Sequence, residues 1–503
     1  MKIGADTRRR QFQKLLQPAR IGGLELRNHI VMLPITDNYC DAEGYVTQRM
    51  KDFYGERAKG GVGLIIVGHA CIDLTRARGG LYQLGVDSDK FIPGLTELVE
   101  TIHNGGAKAA LQLHHSGGDA QREYTNRQPT AASAVIIPEG QVPKSLAREV
   151  ARELMVKEIV EIITLYARAA KRAKDAGFDG IEVHAADKAL LASFLSPFLN
   201  KRHDRYGGDL KKRARFLLEV IEAIKESVGE AYPIWCRINV VESWPGGVTL
   251  SQSQELAEML QDVGCYAIET CSYQHKGITS VAPYVYPLGW GAPLAQGIQE
   301  VVNIPVIYGL GRLDAKVGEE ILRDKKASLI GMARPLIAEP ELPNKLASGK
   351  LEDIRPCIGC CLCLSEVRGR KPMVCAVNPS VGNEQAYMMS WVARSKKFVV
   401  VGGGCAGKEA APKTDGPLIL GGLINVEIDE LNNYLSSQIR KIRVKVQLRR
   451  KVMPSLIKGL KLDVIILASG ATGRRPEFWA LRQQMSQSLK AVVVGYQTGV
   501  RTA

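Results

Sequence analysis

Between residues 29 and 348 the chain alternates short apolar runs with longer amphipathic ones. The apolar runs are HIVMLPIT (29–36), GLIIVGHA (63–70), KAALQLHH (108–115), GIEVHA (180–185), IWCRINV (234–240), YAIETC (266–271), VIYGLG (306–311) and SLIGMAR (328–334), and each reads as a strand. Apolar residues at i, i+3 and i+4 recur over stretches such as 91–104, 156–176, 212–228, 251–263 and 316–324, which predicts helices there. Eight strand-then-helix units point to an α/β chain built on a (β/α)8 TIM barrel.

A barrel of this kind places its chemistry where strands end and the following loops begin. Polar and small residues fall at those ends: Thr36 after the first strand, Gly68 and His69 after the second, Gln112 and His114 on the third, His184 on the fourth and Arg237 on the fifth. Gly311 and Arg312 end the seventh strand, and Ala333 and Arg334 the eighth. Any one of them fits a structural role. Their joint placement points to a ligand at the mouth, and small residues beside a cation on the last two strands suit a phosphate.

Beyond the barrel (residues 1–350) the expected organisation is a cysteine segment with a linker (351–395) and a Rossmann-like dinucleotide-binding piece (396–503). In the first, Cys357, Cys360, Cys363 and Cys375 follow a C-x2-C-x2-C-x11-C spacing, with Cys361 between them. Four thiolates satisfy an iron–sulfur cluster or a structural zinc. Three close cysteines and one remote one favour the cluster, because zinc loops usually pair two short C-x-x-C or His units. In the second, an apolar strand runs into Gly402, Gly404 and Gly407, a G-x-G-x-x-G turn.

Composition narrows the function classes. With 45% hydrophobic and 24% charged residues, the 503-residue chain has the balance of a soluble globular protein. No apolar run reaches membrane-spanning length, and the charged opening stretch lacks the core of a secretory signal, so a cytoplasmic protein with no membrane partner is expected. The net charge of +15 is dispersed among acidic neighbours, apart from a basic crowd at 440–451, which argues against nucleic acid as a partner.

Barrel, cysteines and glycine turn together resemble the Old Yellow Enzyme-related iron–sulfur flavoenzymes, the group of dienoyl-CoA reductases, enoate reductases and trimethylamine dehydrogenase. The matching stretches include ARIGGLELRNHIVMLPIT, GAKAALQLHHSG, AKDAGFDGIEVHAA, FLSPFLNKRHDRYGG, RPCIGC, VCAVNP and VVVGGGCAG. The resemblance implies FMN at the mouth, a [4Fe–4S] cluster on Cys357, Cys360, Cys363 and Cys375, and electrons from NAD(P)H. It implies that Pro34, Ile35, Thr36 and Gly68 line the flavin, that Gln112 meets its pyrimidine ring and Arg237 its N1–C2 side. Gly311, Arg312, Ala333 and Arg334 would take its phosphate, and Gly402, Gly404 and Gly407 an FAD.

Two departures from the family pattern matter. Where many relatives carry a proton-donating tyrosine after the fourth strand, this chain has Ala189, which transfers no proton. By resemblance the donor becomes His275, with His184 and Asp187 lining the site. At the other end, Pro412 follows Gly407 too soon for a full helix, and no second strand with a terminal acid follows, so weak or no FAD binding is expected. The expected function is reduction of an activated C=C bond in a small substrate such as an enoate, an enone or a CoA thioester. Amine demethylation with an aromatic bowl from Tyr273, Tyr284, Tyr286 and Trp290 stays open, as do an electron-transfer module without turnover, an electron-donor partner and a homo-oligomer.

Overall fold

All eight apolar runs are strands, and they close on themselves. β1 (Ile30–Met32), β2 (Leu64–Cys71), β3 (Lys108–His114), β4 (Gly180–Ala185), β5 (Ile234–Glu242), β6 (Ile268–Tyr273), β7 (Val306–Tyr308) and β8 (Leu329–Met332) pair in parallel, each with its successor. β8 returns to β1 through Ile330↔Ile30 and its neighbours, which completes the barrel. The computed structural model describes residues 11–134, 150–243, 245–273 and 286–387, and in the C-terminal region 398–401, 418–420, 429–441, 446–448, 464–467 and 490–493.

A helix follows every strand: α1 (Gln48–Lys59), α2 (Ile92–Asn104), α3 (Val156–Asp175), α4 (Leu210–Val228), α5 (Leu250–Asp262), α6 (Ala292–Gln299), α7 (Ala315–Arg323) and α8 (Arg334–Ala338). Four of them start where a short polar side chain satisfies an orphan amide of the first turn. Thr47 accepts from Met50 N, Asp209 from Lys212 N, Thr249 from Gln252 N and Asp314 from Val317 N.

The two ends of the barrel differ in chemistry. At the start of the strands an antiparallel hairpin, Ala19–Ile21 with Leu24–Leu26, inserts Ile21, Leu24 and Leu26 among Leu64, Ile66, Ala110, Trp235, Ile307 and Leu329. Each such side chain withdrawn from water contributes about 1.5–3 kcal/mol. That apolar plug lets the opposite end carry polar groups.

The chain forms two compact units, Met1–Lys350 with Gly359–Tyr387, and Leu351–Ile358 with Met388–Ala503. Within the first, the stretch after the barrel folds back onto the loop that follows β1. Asn38 Nδ2 donates to the carbonyls of Val367 and Lys371 (3.1 and 2.8 Å), Tyr39 OH to Met373 O (2.7 Å), and Met373 N to Asp37 O (2.9 Å). Deeper in, Arg57 and Glu384 form a buried ion pair at 2.6 Å, while Arg57 also donates to Phe53 O and Leu336 O and lies over the Phe53 ring.

The second unit holds a five-stranded parallel sheet. With β9 (Phe398–Val401), β10 (Leu418–Leu420), β11 (Val446–Leu448), β12 (Val464–Leu467) and β13 (Lys490–Val493), its order is β11-β10-β9-β12-β13. Here the expectation of a missing second strand is corrected, since β10 pairs with β9 through Val400↔Leu418 and Val401↔Ile419. The strand is only three residues long and follows a proline, so its periodicity is too short to read. Glycine rather than an acid follows it, as expected. Part of the basic crowd is accounted for in this unit: α9 (Asp429–Lys441) ends in Arg440 and Lys441, and Lys441 pairs with Asp353 and with Glu352 at 3.7 Å. Among the described residues, no helix is long and apolar enough to cross a membrane.

A buried pair broken on one side leaves an uncompensated charge. Arg57→Leu is therefore expected to lower stability by about 3–5 kcal/mol in denaturant titration. Adding Glu384→Leu is expected to restore part of the loss, and a double variant no more stable than the single one would show that the pair is not the source.

Candidate functional site

The strands that are apolar at their start turn polar toward their ends, and the period of two sorts those polar residues into tiers. Gln112 and His114 share one face of β3, Glu182 and His184 one face of β4, Arg237 and Asn239 one face of β5, and Glu269 and Cys271 one face of β6. Register then sets Gln112 beside Glu182, Arg237 beside His184, and Glu269 beside Arg237.

The lower tier is a buried network. Gln112 Nε2 donates to Glu182 Oε1 (2.7 Å), Trp235 Nε1 donates to Glu182 Oε2 (2.8 Å), and Arg237 Nη1 lies 3.0 Å from Glu269 Oε1. Burial, then the neighbouring Glu269 carboxylate, raises the Glu182 carboxyl well above its ordinary range. Burial raises Glu269 as well, against the lowering pull of Arg237. Two buried carboxyls facing one guanidinium in this medium favour sharing a proton, and the upward push is the stronger on Glu182.

The upper tier is a trio of imidazoles. The rings of His69 and His114 stack at 4.5 Å between centroids, and His114 lies 4.9 Å from His184. Burial lowers all three: His69 to about 4, His114 and His184 well below the ordinary histidine value, with Arg237 adding to the effect at His69 and His184. They are neutral donors and acceptors, not cations. His69 Nε2 lies 2.9 Å from Thr36 Oγ1, His114 Nε2 3.1 Å from Ser116 Oγ, and His184 Nε2 3.8 Å from Asp187 Oδ2. Asn239 grips Asp187 by its backbone, accepting from Asp187 N and donating to Asp187 O (2.9 and 3.0 Å). Burial raises the Asp187 carboxyl.

Thr36, Gln112, His184, Asp187 and Arg237 thus surround one mouth. Gly68 packs where a Cβ would come within 2.3 Å of Pro34, so the glycine lets the loop bearing Pro34, Ile35 and Thr36 pass close over β2. At the far rim Arg334 Nη2 donates to Gly311 O (3.3 Å) and its Nη1 approaches Cys361 Sγ (3.6 Å), while Arg312 donates to Tyr286 O (3.4 Å). Gly311 has φ +75° and no room for a Cβ beside Trp290. The Tyr286 and Trp290 rings, 5.9 Å apart, therefore stand at the end of β7. His275, Tyr284, Gly402, Gly404 and Gly407 lie outside the described residues, as does the side chain of Tyr273.

The sequence reading passed over Glu182, Glu269 and Asn239. Their signal was present: an acid inside GIEVHA and another inside YAIETC, each in a strand otherwise apolar enough to be buried.

A flavin's ring system presents an imide N–H between two carbonyls. Gln112 Oε1 is a buried acceptor with no partner among the described residues, because Glu182 holds the amide's other end, and Arg237 supplies a cation on the same tier. These residues fit the group. For an iron–sulfur cluster the donor chemistry fits, with Cys360 exposed and Cys361, Cys363 and Cys375 half-buried. Among the described residues, however, no three His, Cys, Asp or Glu side chains are arranged so as to hold a metal ion.

Comparison with known proteins matches residues 14–353 to the NADH:flavin oxidoreductase / NADH oxidase family. The chain is similar to a metal reductase of Desulforamulus reducens, 38% identical over 91% of this chain and 70% of that protein. It is similar to an NADH oxidase of Thermoanaerobacter brockii, 37% identical over 92% of this chain and 73% of that protein. Among solved structures it resembles 2-naphthoyl-CoA reductase in complex with 2-naphthoyl-CoA, with a TM-score of 0.86 and 28% identity over 94% of this chain and 78% of that one.

The buried carboxyls make stability depend on pH. With its carboxyl raised, Glu182 keeps a proton in the folded state that the unfolded chain releases near 4.5. Its contribution is complete below that value and is lost as pH rises. Denaturant midpoints followed upward from about pH 5 are expected to fall less in Glu182→Gln than in the wild type. Equal slopes would place the proton elsewhere.

Proposed function

Because the chain belongs to the NADH:flavin oxidoreductase / NADH oxidase family, we propose that it uses electrons from NAD(P)H to reduce an activated C=C bond of an enone, an enoate or a CoA thioester. One observation carries the reading: neutral His184, with Asp187 beside it, borders both Arg237 across the β4–β5 pair and Gln112 at 3.4 Å. FMN held by that tier supplies, when bound, the hydride for the β or terminal carbon of the substrate.

The side chains around it have separate tasks. Gln112 Nε2 lies 3.4 Å from His184 Nδ1, so that nitrogen accepts and the proton stays on Nε2, facing Asp187. From there His184 donates to the carbonyl or carboxylate oxygen conjugated with the double bond, which draws electron density away from the carbon that is to be attacked. Arg237 keeps a buried cation beside the ring system and favours the added negative charge. Ala189, buried at the start of the helix Leu190–Leu195, contributes no proton, and His275 is the proposed donor to the second carbon. Gly311, Arg312, Ala333 and Arg334 would take the phosphate.

Cys357, Cys360, Cys363 and Cys375 are proposed to hold a [4Fe–4S] cluster, on their spacing and donor chemistry, with Cys361 as the surplus thiol. The naphthoyl-CoA reductase, itself named for a CoA thioester, supports a substrate of that class.

Protein purified without oxygen is expected to release FMN, to contain about four irons per chain, and to reduce an enone or enoate once its flavin is reduced with dithionite. His184→Ala is expected to cost about 100-fold in kcat/KM, the scale of one lost oxyanion donor. Bleaching of the flavin by methylated amines, with no alkene reduced, would overturn the reading in favour of amine oxidation. Unchanged turnover in His275→Ala would remove that residue's role.

A further inference from the structure

Asp187 owes its place at the mouth to its backbone rather than to bonds of its carboxyl group. Its Oδ2 lies 3.8 Å from His184 Nε2, too far for a hydrogen bond, and its Oδ1 has no partner among the described residues. What is held tightly is the peptide on either side of it. Asn239 Oδ1 accepts from Asp187 N (2.9 Å), and Asn239 Nδ2 donates to Asp187 O (3.0 Å). We propose that Asn239 is a positioning residue for the reaction, a two-sided clamp that fixes the Asp187 carboxyl against His184 so that one substrate oxygen fits between them. The proposal rests on the reading that His184 and Asp187 line the substrate site.

The clamp answers a local need. Asp187 has φ +54°, in the left-handed region that residues bearing a side chain seldom occupy. It lies in the turn between β4 and the helix Leu190–Leu195, where no strand or helix ladder among the described residues takes up its amide and carbonyl. Left without partners, both groups would favour another conformation. One side-chain amide serves both, because it carries an acceptor at one end and donors at the other. Glu242 reinforces that orientation: Asn239 Nδ2 also donates to Glu242 Oε1 (3.3 Å), while Ser196 Oγ (2.6 Å) and Val248 N (3.2 Å) hold the other carboxyl oxygen. Asn239, Glu242 and Ser196 are all buried, so the clamp is anchored in the barrel wall.

The gap it maintains suits the chemistry. Two groups 3.8 Å apart can each reach the same oxygen at an ordinary hydrogen-bond length of about 2.8 Å, whereas a closer pair would bond to each other. Burial raises the Asp187 carboxyl, which favours the protonated form that can donate. Negative charge developing on the substrate oxygen is then shared between two donors. If the Asp187 backbone turned out of its left-handed conformation, His184 would act alone.

The test uses the whole flavin-loaded protein with methyl vinyl ketone, a simple enone, as substrate. Asn239→Ala is expected to lower kcat about tenfold with KM changed by less than about twofold, since His184 still meets the substrate while the second donor is displaced. In an Asp187→Ala background the same substitution is expected to cost nothing further, because it acts through a carboxyl that is no longer there. Asn239→Asp keeps the shape and the acceptor but loses the donor, and it carries the same comparison if the alanine variant does not fold. A loss that persists undiminished beside Asp187→Ala overturns the proposal, as does full activity in the Asn239 variants. A crystal structure of the variant needs no turnover: Asp187 is expected to leave positive φ and its carboxyl to move away from His184, and an unmoved Asp187 overturns the proposal. A protein that reduces no activated alkene defeats the functional reading instead, while the crystal structure still decides what Asn239 holds.

Discussion

Carboxylates do not stay inside a barrel unless hydrogen bonds or an opposite charge answer them, and that constraint organises this molecule. Glu182 and Glu269 lie fully buried between the apolar plug at the base and the polar mouth. Trp235, itself part of the plug, and Gln112 each give Glu182 one hydrogen bond, and Arg237 answers the charge of Glu269 as an ion pair. The same contacts leave Gln112 with its carbonyl end unfilled and Arg237 locked in place. What stabilises the acids thus presents an acceptor and a cation to whatever binds above. Arg237 also helps keep the imidazoles of the next tier uncharged.

A second dependence runs through the loop after β1. Pro34, Ile35 and Thr36 line the mouth, while the very next residues, Asp37, Asn38 and Tyr39, bond to the cysteine-bearing segment at Val367, Lys371 and Met373. Arg57 and Glu384 fasten the end of that segment to α1. Arg334 adds a bridge on the opposite rim, reaching both Gly311 and Cys361. The mouth and the stretch from Gly359 to Tyr387 therefore share supports within one compact unit.

Within the flavin oxidoreductase family, the character of the mouth is set by this chain's own residues. At the mouth His69 stacks on His114 beside Thr36, and Ala189 lies buried at the start of the helix Leu190–Leu195. The His184 ring stands 6.0 Å from that of His69, with Asp187 beside it.

Most of the barrel was legible in the sequence, because alternation between apolar strands and amphipathic helices is a local property. The eight runs became eight strands, and the helix ends followed Thr47, Asp209, Thr249 and Asp314, whose capping chemistry needs only the next few residues. The placement of Thr36, Gln112, His184 and Arg237 at one mouth was legible too, since barrel closure brings all strand ends together. The three-residue β10 was not, because so short a strand is defined by its pairing with β9 rather than by any period of its own. Nor was the state of the site. That the Glu182 carboxyl is raised, that the three imidazoles are lowered, and that His69 meets Thr36 follow from desolvation and register across strands far apart in the chain. The sequence by itself determined which residues the barrel would carry to its mouth. Only the tertiary structure decided their charges and partners, because both depend on what is buried beside them.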